Sequence, residues 1–426
     1  MRVRAGIGVI LFFVGLWSGA FAIAAPPGTG DPYHSHSHQG PASSPAKVQV
    51  RSRDGRVVLP FTLVNNHVIV AATVQGKPAD LVVDTGMPMD GLMLYRNDRV
   101  AAMDLPYAEG MKARIAGAGG DGGGVEADIA DGLTVDLGDL RLTQARAIVA
   151  PRLPGLADYH DGVIGASLFK NFVVAIDYEA RRITLHDPKG WKPPREAKTV
   201  PFMLRHNAPF VEVTVLGPGG RRTPATVVVD LGAGHPISLN LGAVDGLEAP
   251  DGAIRAIVGF GVSGRLPGRV GRIGGLEIGG MTLRDVVATF PDTDVQRPGG
   301  EDFRGGNLGN QVLQRFNVAF DYRNNRLVLT PNRSFDRSFE WDMSGLWLQP
   351  DTQGGLRVGF VVDDSPAGQA GVLVGDVVTR MNGREVTAAD LPGLRETLRR
   401  PGQRLDLTVL RDGKPVSLSF TTSRLV

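Results

Sequence analysis

Hydrophobic and polar residues alternate with a period of two along most of this chain. The first clear run is Pro60-Phe61-Thr62-Leu63, followed after Asn66 by Val68, Val70, Ala72 and Val74. Successive side chains of a strand point to opposite faces, so the pattern predicts half-buried β-strands rather than helices. The run returns as Pro201-Phe202-Met203-Leu204, with Asn207 and then Phe210, Val211, Val213 and Val215. Two further blocks repeat in the same order. Leu81-Val82-Val83-Asp84-Thr85-Gly86 matches Val227-Val228-Val229-Asp230-Leu231-Gly232. Val163-Ile164-Gly165 with Phe172 to Tyr178 matches Asn307-Leu308-Gly309 with Phe316 to Tyr322. The offsets of 141, 146 and 144 residues drift by only five, which indicates duplication. A unit of about 140 residues is too long for a solenoid repeat, so two paired lobes are expected. They run over 47–190 and 197–333, joined by Trp191-Lys192-Pro193-Pro194. Short helices are predicted after the paired glycines, over Ala166 to Lys170 and Asn310 to Gln314.

Beyond residue 335 the texture changes, and a third unit is expected over 338–424. Gly345-Leu346-Trp347-Leu348 precedes a strand from Leu356 to Val362. Ser365-Pro366-Ala367, Ala370-Gly371, Gly375-Asp376 and Asn382-Gly383 follow in series. A helix over Ala388 to Arg399 carries Leu391, Leu394 and Leu398 at helical spacing. Strands over Leu405 to Arg411 and Val416 to Thr421 flank the turn Asp412-Gly413.

At the other end, Arg2 and Arg4 precede the apolar stretch Gly6 to Trp17 and the small residues Ala20, Ala22, Ala24 and Ala25. This is the layout of a secretory signal over 1–24, so export to the periplasm or the medium is expected, with an uncleaved anchor as the alternative. Residues 25–46 read as a flexible linker. Its His34, His36 and His38 alternate with serine and read as solvated, with no second shell to fix a metal.

Composition narrows the chemistry. The 426 residues include 57 glycines and 29 prolines, as a turn-rich β protein requires, and no cysteine. Thiol nucleophiles, disulfides and Cys-ligated metals are excluded. Lys+Arg 46 against Asp+Glu 44 leaves a formal charge of +2, scattered along the chain, which argues against nucleic acid as a partner. No second long apolar run predicts a membrane span after signal removal. His67, His160, His186 and His206 lack metal-ligand spacing, and His235 is expected at a solvent-facing turn. Ser167 and Ser238 stand outside any Gly-x-Ser-x-Gly elbow.

The repeated aspartates carry the candidate chemistry. Asp84 and Asp230 each end an apolar strand two residues before a glycine, whose backbone amide can approach the carboxylate. A lone Asp-x-Gly is an ordinary turn, but two copies at matching places in two lobes imply carboxylates meeting across a pseudo-two-fold axis. Like charges that close cannot both ionise near neutral pH. One then keeps a proton while the other is a base, the arrangement that activates water and protonates an amide.

At these residues the chain resembles the pepsin-like and retropepsin-like aspartic proteases, over both lobes. The carriers are Val83-Asp84-Thr85-Gly86, Val229-Asp230-Leu231-Gly232-Ala233 and the elements ending at Gly165 and Gly309. The resemblance implies two acid-protease β-barrel lobes in a mainly β chain, Asp84 and Asp230 as catalysts, and Thr85, Gly86 and Gly232 supporting them. It also implies glycine-containing flaps, for which Ile115 to Gly124 and Gly259 to Gly264 are candidates. Two positions depart from the family. Leu231 replaces a hydroxyl residue that links the two loops, and bulky Met87 follows the first triplet where a small residue is usual.

The third unit resembles a bacterial PDZ domain. That resemblance implies a terminal-carboxylate loop at Gly345, Leu346, Trp347 and Leu348, and a peptide adding as a strand at the sheet edge. The expectation is therefore an exported, monomeric aspartic endopeptidase that acts on polypeptides without metal or cofactor. Its PDZ module would bind the C-terminal end of a peptide, for recognition or regulation. The alternative is a proteolytically degenerate protein that binds peptides in the cleft, the PDZ groove or both.

Overall fold

The computed structural model describes residues 46–115, 125–153, 159–261, 264–292 and 305–426, with the backbone of two short paired strands, Phe12–Val14 and Gly19–Phe21. The rest of the expected signal and linker, including the His34–His38 tract, lies outside the described residues.

Alternation produces the strands it implies. In the first lobe these are β1 (Val57–Val64), β2 (His67–Val74), β3 (Lys77–Val83), β4 (Leu92–Tyr95), β5 (Tyr107–Ile115), β6 (Val125–Leu137), β7 (Leu140–Ala150) and β8 (Gly162–Ile164). Along β1 buried and exposed residues alternate, because one face meets the core and the other water. The paths connecting the lobes are β9 (Val173–Asp177), β10 (Arg182–His186) and β11 (Lys198–Pro201). The second lobe contains β12 (Met203–Arg205), β13 (Ala208–Leu216), β14 (Arg222–Val229), β15 (Ile237–Leu239), β16 (Ile254–Gly261), β17 (Gly264–Ile278), β18 (Met281–Pro291) and β19 (Gly306–Leu308).

The duplication is exposed by strand order. The first lobe runs β1-β2-β3-β8-β4-β7-β6-β5 and the second β12-β13-β14-β19-β15-β18-β17-β16, strand for strand the same path. Between the lobes, β9 pairs antiparallel with β20 (Phe316–Asp321), with Ala175 opposite Ala319 at the centre of the register. Those two alanines mark the pseudo-two-fold axis. Around them β11, β21 (Arg326–Pro331), β20, β9, β10 and β1 form a continuous path that ties the lobes together. One apolar cluster extends through both lobes, from Val57 and Leu81 to Val229 and Phe320. The short helices Ala166–Phe169 and Asn310–Leu313 follow the paired glycines as expected.

The C-terminal unit has its own core and a sheet ordered β22 (Leu346–Pro350), β23 (Leu356–Val361), β24 (Val377–Met381), β25 (Arg404–Arg411) and β26 (Lys414–Thr421), with the helix Leu391–Leu398 beside it. It is docked on the second lobe. Arg265 donates to the Gly359 carbonyl at 2.7 Å, and Arg272 donates to the carbonyls of Phe339 and Val426, each at 2.8 Å. Among the described residues no helix is long and apolar enough to cross a membrane.

Candidate active site

Each candidate aspartate is set by the same local device. β3 runs into Asp84 with β8 parallel beside it, and the Asp84 amide donates to the Ile164 carbonyl at 3.0 Å. β14 runs into Asp230 with β19 parallel beside it, and the Asp230 amide donates to the Leu308 carbonyl at 2.9 Å. The glycines closing β8 and β19 are dictated by space. A Cβ on Gly165 would lie 2.2 Å from the Met87 carbonyl oxygen, and one on Gly309 would lie 2.1 Å from that of His235. No side chain fits there.

The two loops meet, and both carboxylates are fully buried. They hydrogen-bond to each other. The Gly86 amide donates to Asp84 Oδ1 at 2.6 Å. The Gly232 amide lies between the pair, 2.8 Å from Asp230 Oδ1 and 3.2 Å from Asp84 Oδ1. Thr85 Oγ1 donates to the Val229 carbonyl at 2.6 Å and accepts from the Leu231 amide at 3.0 Å, fastening the first loop to the second. Leu231 has no hydroxyl to return this grip. It is buried in the inter-lobe core instead. Met87 is likewise buried, in a cluster on the first lobe that includes Ile69, Met89 and Ile115.

Burial raises the Asp230 carboxyl, to about 6, against the pull of hydrogen bonds from Asp84, Asn307, Gly232 and Ala233. The two acids form a coupled pair, so this value belongs to the loss of their shared proton rather than to one residue alone.

Three features of the site escape a reading of the motifs. Asn307 Nδ2 donates to Asp230 Oδ2 at 2.6 Å. Its only sequence signal is a polar residue where Val163 stands in the first lobe. Asn66 Nδ2 donates to the Gly234 carbonyl at 2.7 Å, and Asn207 Nδ2 to the Pro88 carbonyl at 2.8 Å. These are symmetry-related bonds, each from one lobe's hairpin to the other lobe's Asp loop. The turns Asn65-Asn66 and His206-Asn207 have φ of 50° and 65°, and 48° and 64°, which asparagine tolerates better than most residues. His67 is buried as well, with Nε2 2.9 Å from the Gly232 carbonyl and Nδ1 3.3 Å from the Tyr159 hydroxyl. A carbonyl only accepts, so Nε2 carries the proton; burial lowers His67 to about 4 and keeps it neutral at pH 7.

Other expectations need correction or fall outside the described residues. His235 does not face solvent: it is buried between the loops, and burial lowers it to about 3. The first flap candidate lies outside the described residues beyond Ile115, as do residues 262–263 of the second. The rest of the second forms the β16–β17 hairpin, whose Phe260 packs against the Met87 cluster of the first lobe. In the PDZ loop the Gly345 amide donates to Asp342 Oδ1 at 2.7 Å and the Leu346 amide to Ser344 Oγ at 3.0 Å, so both are engaged within the loop. Trp347 and Leu348 pair with β23. No group of metal-ligating side chains occurs among the described residues.

Comparison with known proteins agrees with this architecture. Residues 70–168 match the family described as aspartyl protease, and residues 336–422 match the PDZ domain. The chain is therefore a mainly β protein with an aspartyl protease-like region and a C-terminal PDZ domain. Among curated proteins it is similar to the probable periplasmic serine endoprotease DegP-like of Ectopseudomonas mendocina, 38% identical over 76 residues. It is also similar to the protein of that name from Pseudomonas putida strain W619, 40% identical over 72 residues. These matches cover 18% and 17% of this chain and only 16% and 15% of the relatives. Among solved structures it is similar to the aspartic proteinase of Irpex lacteus, with TM-score 0.42 and 16% identity over 65% of this chain and 98% of that one.

Proposed function

We propose that this protein is an exported endopeptidase of the aspartic type. The observation that carries the reading is the contact of Asp84 and Asp230, each at the end of an equivalent strand, with Gly232 N–H shared between them. A singly protonated pair supplies both a base for a water molecule and an acid for the departing amine. Asp230 is the ionised member, because both its oxygens receive donors, Oδ1 from Gly232 and Oδ2 from Asn307. Asp84 carries the proton. Thr85 and the amides of Gly86 and Gly232 hold the carboxylates in plane, and no metal or cofactor takes part. The substrate is an extended polypeptide admitted when the β16–β17 hairpin leaves the cleft, since both acids are buried in the closed form. The similar proteins named as periplasmic support export to that compartment, and the PDZ domain supports peptide recognition beside the lobes.

The second reading is a peptide-binding protein without hydrolysis, favoured by Leu231 in place of a loop-linking hydroxyl. One experiment separates the two. Purified protein is incubated with a denatured casein substrate from pH 3 to 8, beside Asp84→Asn and Asp230→Asn. Cleavage by the parent and by neither variant supports the dyad; cleavage that survives Asp230→Asn rejects it. Asp84→Asn is the cleaner test of fold, because Asn Oδ1 can still accept from both glycine amides. Asn at 230 would turn an NH2 group towards one of its two donors.

A further inference from the structure

The repeat builds both Asp loops, yet three polar side chains around the second have apolar counterparts around the first. Asn307 stands where the repeat has Val163, Asn310 where it has Ala166, and His67 in the first lobe where the second has Ala208. Asn307 donates to Asp230 Oδ2. Asn310 Nδ2 donates to the Asn66 carbonyl, and its Oδ1 accepts from the Tyr178 hydroxyl at 2.5 Å, which fixes the turn beside His67. His67 Nε2 donates to the Gly232 carbonyl at 2.9 Å. Ala208, with only a methyl group, has no equivalent bond to offer Gly86.

His67 reaches a particular peptide group. The Gly232 carbonyl shares its plane with the Ala233 N–H, which is among the donors that favour the ionised Asp230 carboxyl. That amide also lies 3.3 Å from the backbone carbonyl of Asp230. A donor on the carbonyl polarises the N–H at the other end of the same peptide. The ring is set firmly for this. It is buried, with the Tyr159 hydroxyl 3.3 Å from Nδ1 and the Tyr159 ring stacked on it at 5.9 Å between centroids. A Cβ on Gly234 would lie 2.5 Å from the Asn65 carbonyl oxygen and 3.5 Å from His67 Cε1, so hairpin and loop are in close contact. Burial, with the charges of Arg395 and Arg399, outweighs the pull of the Gly232 and Val64 carbonyls and keeps the ring neutral at pH 7. Burial also lowers its neighbours His160 and His235 to about 3, so they add no charge at that pH.

We infer that His67 is a positioning residue of the dyad that takes over from the hydroxyl missing at 231, clamping the Gly232–Ala233 peptide against Asp230 from the opposite lobe. This rests on reading Asp84 and Asp230 as a catalytic pair. Thr85 holds the second loop ahead of that peptide, at Val229 and Leu231, and His67 holds it behind. Together they bracket Gly232, whose amide the two carboxylates share. The loop is thus fixed on both sides without a hydroxyl at 231.

The test uses the full chain labelled with carbon-13 at the aspartate side-chain carboxyl, the dyad signals being those lost in Asp84→Asn or Asp230→Asn. The dyad midpoint, about 6 in the parent, should rise by about half a pH unit in His67→Phe, because a weaker Ala233 donor favours the charged form less. His67→Gln, which returns an N–H to the place of Nε2, should restore the parent midpoint. His67→Leu is a second non-donor, read the same way where His67→Phe does not fold. On a peptide substrate, kcat should fall about tenfold in the non-donors with KM within about twofold. Leu231→Thr should raise kcat about threefold more in that background than in the parent, since the two positions hold one loop. A merely structural histidine would lower Tm without moving the midpoint. An unmoved or lowered midpoint, or a rise that His67→Gln shares, overturns the inference, as do equal gains from Leu231→Thr in both backgrounds. The midpoint is read without turnover. The expected shifts in a protein that cleaves nothing would refute the proposed hydrolysis alone, and cleavage with an unmoved midpoint would refute this inference alone.

Discussion

Asn307 stands where the repeat places Val163, and it donates to Asp230 Oδ2 at 2.6 Å. The two halves of the dyad are therefore not equivalent. An N–H on a carboxylate oxygen favours its ionised form, so Asn307 opposes the burial that raises the pair. Hydrolysis should need the singly protonated pair and should fall as pH rises through about 6. Replacing the amide, as in Asn307→Leu, should move that limb of the kcat/KM profile upward by about one pH unit, since a hydrogen bond to a charged group is worth about 1.5–3 kcal/mol and one unit about 1.4 kcal/mol. A downward move would show that Asn307 does not stabilise the charged form.

The same burial should appear in stability. The pair holds its shared proton to about 6 in the folded chain, against an ordinary aspartate value of 3.8. The native state thus binds more protons than the unfolded one between these values, and stability falls as pH rises through that window. Above it the native protein holds two buried charges in contact. Asp84→Asn removes one of them and should raise Tm at pH 7.5 by a few degrees, with a much smaller gain at pH 4.5. Equal gains at both pH values would mean that charge repulsion is not the cause.

The paired asparagines should act as cross-lobe clamps. Asn66→Gly and Asn207→Gly keep the positive φ and delete the side-chain bonds to Gly234 and Pro88, together with the 3.3 Å bond that Asn66 Oδ1 accepts from Gln314 Nε2. Each should cost about 1 kcal/mol, and kcat should fall more than KM rises, because the lost bonds hold Asp loops rather than substrate. Asn66→Ala should cost about 1 kcal/mol more, since alanine resists that backbone conformation. Steady-state kinetics and thermal melts on the three variants check this; unchanged kcat in both glycine variants would confine the clamps to stability.

The strands, the duplication and both Asp loops were legible because each depends on local periodicity or a short repeated motif. The PDZ series was legible for the same reason. What escaped was long-range. Asn307 sits 77 residues from the carboxylate it contacts, and Asn66 is 168 residues from Gly234. Neither spacing carries a signal in one sequence. His235 was misread because a polar residue after a turn usually faces water, whereas here the second lobe's loop folds it inward beneath Gly309. The packing of Phe260 on the Met87 cluster was likewise invisible, since it sets one lobe's hairpin on the other lobe's cluster.

Leu231 is where local motif and tertiary packing conflict most directly. Thr85 reaches the Val229 carbonyl and accepts from the Leu231 amide. The two-fold relation assigns the reciprocal bonds, from a hydroxyl at 231 to the Val83 carbonyl and from the Thr85 amide, to a side chain that leucine does not have. Leucine instead fills the inter-lobe core without exposure. Leu231→Thr should restore the second half of the grip, worth about 0.5–1.5 kcal/mol, while losing buried apolar volume, worth about 2 kcal/mol or more. Stability should therefore fall modestly. Catalysis should respond in the opposite direction, because a carboxylate displaced by about 1 Å can cost about a hundredfold in rate, and the added bond fixes the loop that carries Asp230. We expect a lower Tm together with a higher kcat and a smaller change in KM, measured on a peptide substrate beside the parent protein. A lower kcat would show that the site is already built around leucine, and that its packing, not the missing hydroxyl, positions Asp230.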